Sequence, residues 1–166
     1  MSFYIDATNM VPNEPSDIVT DISPQVFCKL NMLKASKPIT CYKVLRRRKI
    51  GVNTSYYMAI SNIEVGEDII KDGNLLIAND EPKITVNRRE YPNIRVKVDF
   101  GFISTFKNLD DAKAYAEYLK KVHSYKHTVI AKCLIEKGAV YCKGVDDFGR
   151  ESYISYRVSI TELLDE

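Results

Sequence analysis

The stretch GFISTFKNLDDAKAYAEYLKKVH, from Gly101 to His123, decides the fold because an aromatic strand runs directly into the best-defined helix of the chain. Asn108 is suited to cap this helix, since its side-chain oxygen can accept from free N–H groups of the first turn. Acidic residues occupy the first turn and basic residues the last turn, as the helix dipole favours. The sequence therefore predicts the main helix from Asn108 to about His123.

The apolar side chains of this helix repeat at steps of three or four, which is typical of one buried face. The stripe consists of Leu109, Ala112, Ala116, Leu119 and His123, widened by Tyr115 and Val122. Because alanine leaves room for a close approach, the stripe predicts packing against a sheet.

The segment before this helix, Ile94 to Phe102, alternates with a period of two. Apolar residues occupy one set of positions, and Arg95, Lys97, Asp99 and Gly101 occupy the other. This pattern predicts a strand with one face in the core and one face toward water or a ligand. The Ser104-Thr105 pair then reads as a turn leading into the helix.

Other segments add a second helix and more strands. Ser23 and Pro24 form a cap and a first-turn proline, and Val26, Phe27, Leu30 and Leu33 extend helical spacing to about Lys34. The segments with strand character are Ile39 to Leu45, Ser55 to Ile60, Lys83 to Arg88, Thr128 to Ile135, Ala139 to Lys143 and Ser152 to Ile160. The hairpin-like runs predict one α+β domain over residues 1–166, with a mainly antiparallel curved sheet of about five to seven strands, two principal helices and a loose arm over residues 1–15.

Composition restricts the class of protein. The chain has 24 basic and 22 acidic residues, so the net charge of +2 alone does not predict a polyanionic or membrane partner. No apolar run approaches the roughly 18 to 20 residues that a membrane-spanning helix needs. The four cysteines show no C-x-x-C spacing and no signal peptide precedes them, so we expect a reduced, cytoplasmic protein.

The densest charge cluster is Arg46, Arg47, Arg48 and Lys49, which we expect at an exposed hairpin tip. Guanidinium groups can hold phosphate oxygens in bidentate geometry, so the cluster is a candidate anion-binding site. A solvated turn is the alternative interpretation, and no aromatic ladder accompanies the run in sequence.

The sequence offers no other standard site. It lacks the glycine-rich phosphate loops and the G-x-S-x-G elbow. We expect no metal site, because His123 and His127 have no third ligand at a recognisable spacing. Cys41 and Cys133 are expected to be small buried side chains inside strands.

Three segments resemble a loose class of small phage and bacterial proteins of unknown function: GFISTFKNLDDAKAYA from Gly101, VIAKCLIEKGAVYCKG from Val129, and SYIS from Ser152. Some of that class resemble a trimmed ADP-ribosyltransferase fold, in which residues of an early strand, a hydroxyl-bearing turn and a late Glu hold NAD. The resemblance implies a site made of Tyr42 or Arg46, Ser104, Thr105, and Glu151 or Glu162.

Two functions follow as hypotheses. The first is a small cytoplasmic interaction or ligand-binding protein, of phage or mobile-element origin, that acts without covalent chemistry or a cofactor. Its partner would be a protein or an anionic ligand, with nucleic acid as a weaker candidate and no membrane. The alternative is an NAD-dependent ADP-ribosyltransferase-like enzyme, which the resemblance alone implies.

Overall fold

The structure is a computed structural model that describes residues 3–6, 19–50, 54–59, 64–66, 75–77, 83–87, 95–99, 102–122 and 128–164. Two α-helices lie within these ranges, α1 (Pro24–Asn31) and α2 (Leu109–Val122). The strands of the same ranges are β1 (Phe3–Asp6), β2 (Val19–Ile22), β3 (Leu33–Lys34), β4 (Ile39–Ile50), β5 (Thr54–Ala59), β6 (Glu64–Gly66), β7 (Leu75–Ile77), β8 (Lys83–Asn87), β9 (Arg95–Asp99), β10 (Ile103–Phe106), β11 (Thr128–Ile135), β12 (Val140–Val145), β13 (Glu151–Ser155) and β14 (Arg157–Leu164).

All fourteen of these described strands belong to one hydrogen-bonded sheet, and their pairings are antiparallel. Eleven follow the order β2-β8-β9-β1-β12-β13-β10-β4-β11-β14-β7, while β3 joins β12 and β5 and β6 extend from β4. The predicted α+β class with two helices and a mainly antiparallel sheet is confirmed. The predicted number of five to seven strands is wrong, because strands of two to four residues are too short to show a period of two.

Strand β4 is the longest of the described strands, at twelve residues. One edge pairs with β11, from Ile39 opposite Ile135 to Arg46 opposite Thr128. The other edge meets β10 at Tyr42 and then pairs with β5, ending at Ile50 opposite Thr54. The second half of β4 therefore continues past the end of β11 as a ribbon with β5, and β6 adds to that ribbon.

The predicted main helix is confirmed as α2. Its buried side chains are Ala112, Tyr115, Ala116 and Leu119, which pack in one cluster with Val44, Phe106 and Ile130 of the sheet. Val122 is 58% exposed, so it does not widen the buried face as predicted, and His123 lies outside the described residues. The Asn108 carbonyl accepts from Ala112 N at 3.3 Å, and its side-chain amide donates to the Asp111 carboxylate at 3.4 Å.

The predicted cap of α1 is confirmed, but the predicted length is wrong. Val26 N donates to Ser23 Oγ at 3.2 Å, and Pro24 lies in the first turn. The helix ends at Asn31, and Leu33 begins β3 with 58% of its surface exposed. Phe27 is fully buried in a second cluster with residues of β1, β8, β9 and β12, and two turns are too short to bury more than this narrow stripe.

The predicted strand from Ile94 to Phe102 is present as β9, with Val96 and Val98 buried and Lys97 half-buried. The chain bends at Phe102, and Ser104 and Thr105 then lie inside β10. The predicted Ser-Thr turn is therefore wrong. Residues of β13 supply the ladder that makes this segment a strand, with Ser104 opposite Ile154.

Near the amino terminus, β1 lies between β9 and β12, and residues 7–15 of the predicted loose arm lie outside the described residues. Gly144 of β12 permits this close packing, since a Cβ there would overlap the Phe3 ring and the Tyr4 carbonyl oxygen.

Within the described ranges, neither helix is long and apolar enough to cross a membrane.

Candidate functional site

The residues implied by the ADP-ribosyltransferase resemblance are distributed over four strands. Tyr42 of β4 is half-buried, Ser104 and Thr105 lie next to each other in β10, and Thr105 is buried. Glu151 and Glu162 are exposed residues of β13 and β14. Tyr42 and Glu162 are both register partners of Lys132, so they lie on either side of it in one cross-strand row.

The five residues do not converge on one cleft. Ser104 and Glu162 are separated by β4 and β11, which at about 4.8 Å per strand places their strands roughly 14 Å apart. For the alternative late Glu, Ser152 and Tyr42 both oppose Phe106. Glu151 precedes Ser152, so alternation places Glu151 and Tyr42 on opposite faces of the sheet. Glu151 pairs with Lys107 at 3.7 Å. The geometry of the described residues gives the enzymatic alternative no support, and that alternative stays a prediction.

The basic run Arg46 to Lys49 lies within β4, and the predicted location at a hairpin tip is wrong. Its partners in β5 are Met58, Tyr57, Tyr56 and Ser55, in that order. Residues 51–53, which connect β4 to β5 in the chain, lie outside the described residues. Backbone pairing with a second strand holds the four basic residues in an extended segment that a mobile loop would not provide.

The register of this ribbon shows an association between basic and aromatic residues that sequence reasoning missed. Arg47 is opposite Tyr57, and Arg48 is opposite Tyr56. No local signal identifies these pairs, because the register of β4 and β5 depends on the whole hairpin. Because consecutive pairs belong to opposite faces, each face of the ribbon carries one Arg–Tyr pair. Guanidinium and phenol are the two chemical groups that single-stranded nucleic acid contacts, one for phosphates and one for bases.

A buried polar cluster lies in the first half of β4. Cys41 is directly opposite Cys133 of β11, and both thiols are fully buried. Lys43 is 5% exposed and donates from Nζ to Ser104 Oγ at 3.4 Å. Thr105 Oγ1, also buried, lies beside the Cys41 thiol. Sequence reasoning identified the two cysteines as core residues and missed the buried lysine beside them.

Burial dominates the protonation of this cluster. Loss of hydration lowers the pKa of Lys43 to about 8, and the nearby Cys133 and Cys41 thiols oppose that shift only partly. Burial raises the pKa of Cys41 to about 11 and raises the pKa of Cys133 further. At neutral pH the cluster therefore holds two neutral thiols and one ammonium group, since pH 7 lies below all three pKa values.

The loop between β12 and β13, predicted to be a surface acidic loop, is built on a buried carboxylate. Asp146 is 1% exposed, and its Oδ1 accepts from Phe148 N at 2.9 Å and from Arg150 N at 2.8 Å. Gly149 has a φ of 77°, which closes the turn. Phe148 stands 53% exposed and packs at 5.1 Å against the ring of Tyr118. Asp146 is therefore a structural residue of the hairpin.

Two further observations concern ligands. The described residues contain no group of three or more His, Cys, Asp or Glu side chains that could hold a metal ion. A surface depression is lined by residues of β11, of the turn that follows β11 and of β14, including Glu136, Arg157 and Ser159, and it encloses no space for even a water molecule. It therefore lacks the enclosed volume of a small-molecule site.

Comparisons with known proteins found no matching family model, no matching curated protein and no matching solved structure. The resemblance to phage and bacterial proteins therefore stays a prediction, and the functional argument rests on the residues themselves.

Proposed function

We propose that this chain is a small ligand-binding protein that acts without covalent chemistry and takes single-stranded nucleic acid along the ribbon of β4 and β5. The observation that carries the proposal is the register of the basic run, with Arg47 opposite Tyr57 and Arg48 opposite Tyr56. A cytoplasmic location and a phage or mobile-element origin are part of the same proposal.

The chemistry of the ribbon fits a nucleic-acid strand better than a compact anion. Neighbouring residues of a strand belong to opposite faces, so Arg46 and Arg48 share one face of the ribbon and Arg47 and Lys49 share the other. The two basic residues of one face are about 6.6 Å apart along the strand. A linear polyanion can contact both of them at different phosphates, whereas a single small anion meets one. Tyrosine rings add stacking on bases, which tolerates any sequence.

The position of the ribbon also favours this use. Beyond Arg46, β4 has no further register partner in β11 among the described residues, so this edge of the ribbon is not continued by β11. The net charge of +2 is small, and the attraction for a polyanion would therefore be local to the ribbon.

The test replaces Arg46, Arg47, Arg48 and Lys49 together by serine and measures binding of a fluorescent oligothymidylate by anisotropy at several salt concentrations. We expect the variant to bind at least tenfold more weakly at low salt. Its slope of log K against log salt should fall by about 0.7 for each phosphate that the variant no longer neutralises.

The matched control removes four positive charges elsewhere, through Lys37→Ser, Lys113→Ser, Lys121→Ser and Lys137→Ser, all of which are exposed positions. This variant should bind within about threefold of the wild type, because dispersed charges act only through a screened field. Equal losses of affinity in both variants would show a general charge effect and contradict the proposal.

A second pair of substitutions, Tyr56→Leu and Tyr57→Leu, separates nucleic acid from other polyanions. Removing the stacking rings should weaken oligonucleotide binding about tenfold and leave retention on heparin unchanged. If the oligonucleotide and heparin lose affinity equally, the ribbon is a generic anion surface. Thermal unfolding of each variant checks that the fold is retained.

A further inference from the structure

The central sheet contains a pair of thiols in an arrangement that suits a soft metal ion. Cys41 of β4 and Cys133 of β11 are direct register partners, and directly opposed residues of antiparallel strands have Cα atoms about 4.5 to 5.5 Å apart. Both side chains are fully buried, and neither forms a disulfide. Both thiols therefore lie in one dry part of the core, where Cys133 Sγ donates to the Ala131 carbonyl oxygen at 3.5 Å.

A buried positive charge lies beside this thiol pair. Lys43 follows Cys41 by two residues on the same strand and is 5% exposed. The described part of the chain supplies no carboxylate to balance it, and its neighbours there are the Ser104 hydroxyl and the two thiols. An isolated buried ammonium is unfavourable, so any ligand that makes the thiol pair anionic would be stabilised by Lys43.

We propose that Cys41 and Cys133 bind one soft monovalent cation of the Cu(I) type as a two-coordinate bis-thiolate, with Lys43 balancing its charge. Thiolate sulfur selects Cu(I) over the harder divalent ions. The reaction consumes one metal ion and two thiols and releases two protons to solvent. The complex of one M⁺ with two thiolates carries one negative charge, which the ammonium neutralises.

The metal ion would lie between the two sulfur atoms and replace their S–H protons, and the opposed register places both side chains on the same face of the sheet. A pair of cysteine ligands differs from the usual zinc site, which has three or four protein ligands. The seam between β10 and β4 is short, with Phe106 opposite Tyr42 as its one register pair, compared with eight pairs between β4 and β11. Lys43 and Ser104 meet across that seam.

The test titrates the full chain with Cu(I), supplied anaerobically from its bicinchoninate complex with a reductant present, and follows the decrease of chelator absorbance. We expect one Cu(I) per chain in the wild type and in a Cys28→Ala/Cys142→Ala variant, which retains the thiol pair. Cys41→Ala and Cys133→Ala should each weaken binding at least a hundredfold. Lys43→Met, which removes the charge and keeps the length, should weaken binding about tenfold.

Thermal unfolding of each metal-free variant checks that the variant is folded. X-ray absorption of the copper-loaded wild type provides a second measurement that does not depend on substitutions. We expect the copper ion to have two sulfur neighbours and no nitrogen neighbour. Equal uptake by wild type and both single cysteine variants would overturn the proposal. So would uptake that disappears in Cys28→Ala/Cys142→Ala, a disulfide between Cys41 and Cys133 without bound metal, or affinity no greater than that of the urea-unfolded chain.

Discussion

Replacing Lys43 by methionine should raise the free energy of unfolding at pH 7 by about 3 kcal/mol. The side chain is buried, and its pKa is lowered from 10.5 to about 8 because burial removes the hydration of the ammonium. Each pKa unit corresponds to about 1.4 kcal/mol of preference for the neutral form. Methionine has a similar length and no charge, so it removes this cost and gives up only the long bond to Ser104.

The gain in the free energy of unfolding of Lys43→Met over the wild type should decrease as the pH rises. Below about pH 8 the lysine is charged in both folded and unfolded protein, so the cost of burying the charge is fully present. Between about pH 8 and 10.5 the folded protein binds fewer protons than the unfolded chain, so the wild type is stabilised as the pH rises. The difference between Lys43→Met and wild type should therefore shrink over this interval.

Urea titrations of both proteins at pH 7 and pH 9.5 measure this difference. Comparing the two proteins at each pH cancels the titration of the buried thiols and tyrosines that they share. Lys113→Met, at an exposed position of α2, is the matched control and should change stability by less than about 0.5 kcal/mol at either pH. A Lys43→Met protein that is less stable than the wild type at pH 7 would contradict this account of the cluster.

Leu119→Ala should lower the free energy of unfolding by about 2 to 4 kcal/mol. Leu119 is 2% exposed and packs between α2 and the sheet in the cluster that contains Val44 and Ile130. Shortening the side chain removes its burial and leaves a cavity that the rigid sheet cannot fill completely. Denaturant titration at neutral pH measures the change.

Val122→Ala is the control for this prediction, because Val122 lies on the same helix with 58% of its surface exposed. It should change stability by less than about 0.5 kcal/mol. Equal effects of the two substitutions would mean that α2 is not oriented by the stripe of Ala112, Ala116 and Leu119.

Local signals in the sequence were sufficient to predict where the two helices lie. The Ser23-Pro24 pair and the charges and apolar stripe of α2 act within one or two turns. The main helix α2 was predicted correctly, and α1 was predicted correctly in place but not in length. The same holds for β11, whose bounds, Thr128–Ile135, are the predicted ones. These elements are specified by neighbours in sequence, so their patterns can be read without the fold.

Features that depend on distant pairing could not be predicted. The segment Ile103–Phe106 becomes a strand because β13 pairs with it, and its Ser-Thr composition alone favours a turn. Cys41 and Cys133 meet only through the register of β4 on β11. Lys43 lies in a strand that is buried on both faces. Such a strand does not alternate between polar and apolar residues, so the sequence pattern does not indicate that the Lys43 ammonium is in the core.

The measurement that tests the functional account most directly is a titration of the ¹⁵N-labelled protein with oligothymidylate, followed by amide chemical shifts at low and high salt. Binding along the ribbon predicts that the largest shifts occur in residues 46–50 and 54–59, weaken with added salt and are absent in the four-serine variant. Shifts centred on the loop at Phe148 or on α2, or no saturable shifts at low salt, would contradict the proposal that β4 and β5 form the binding surface.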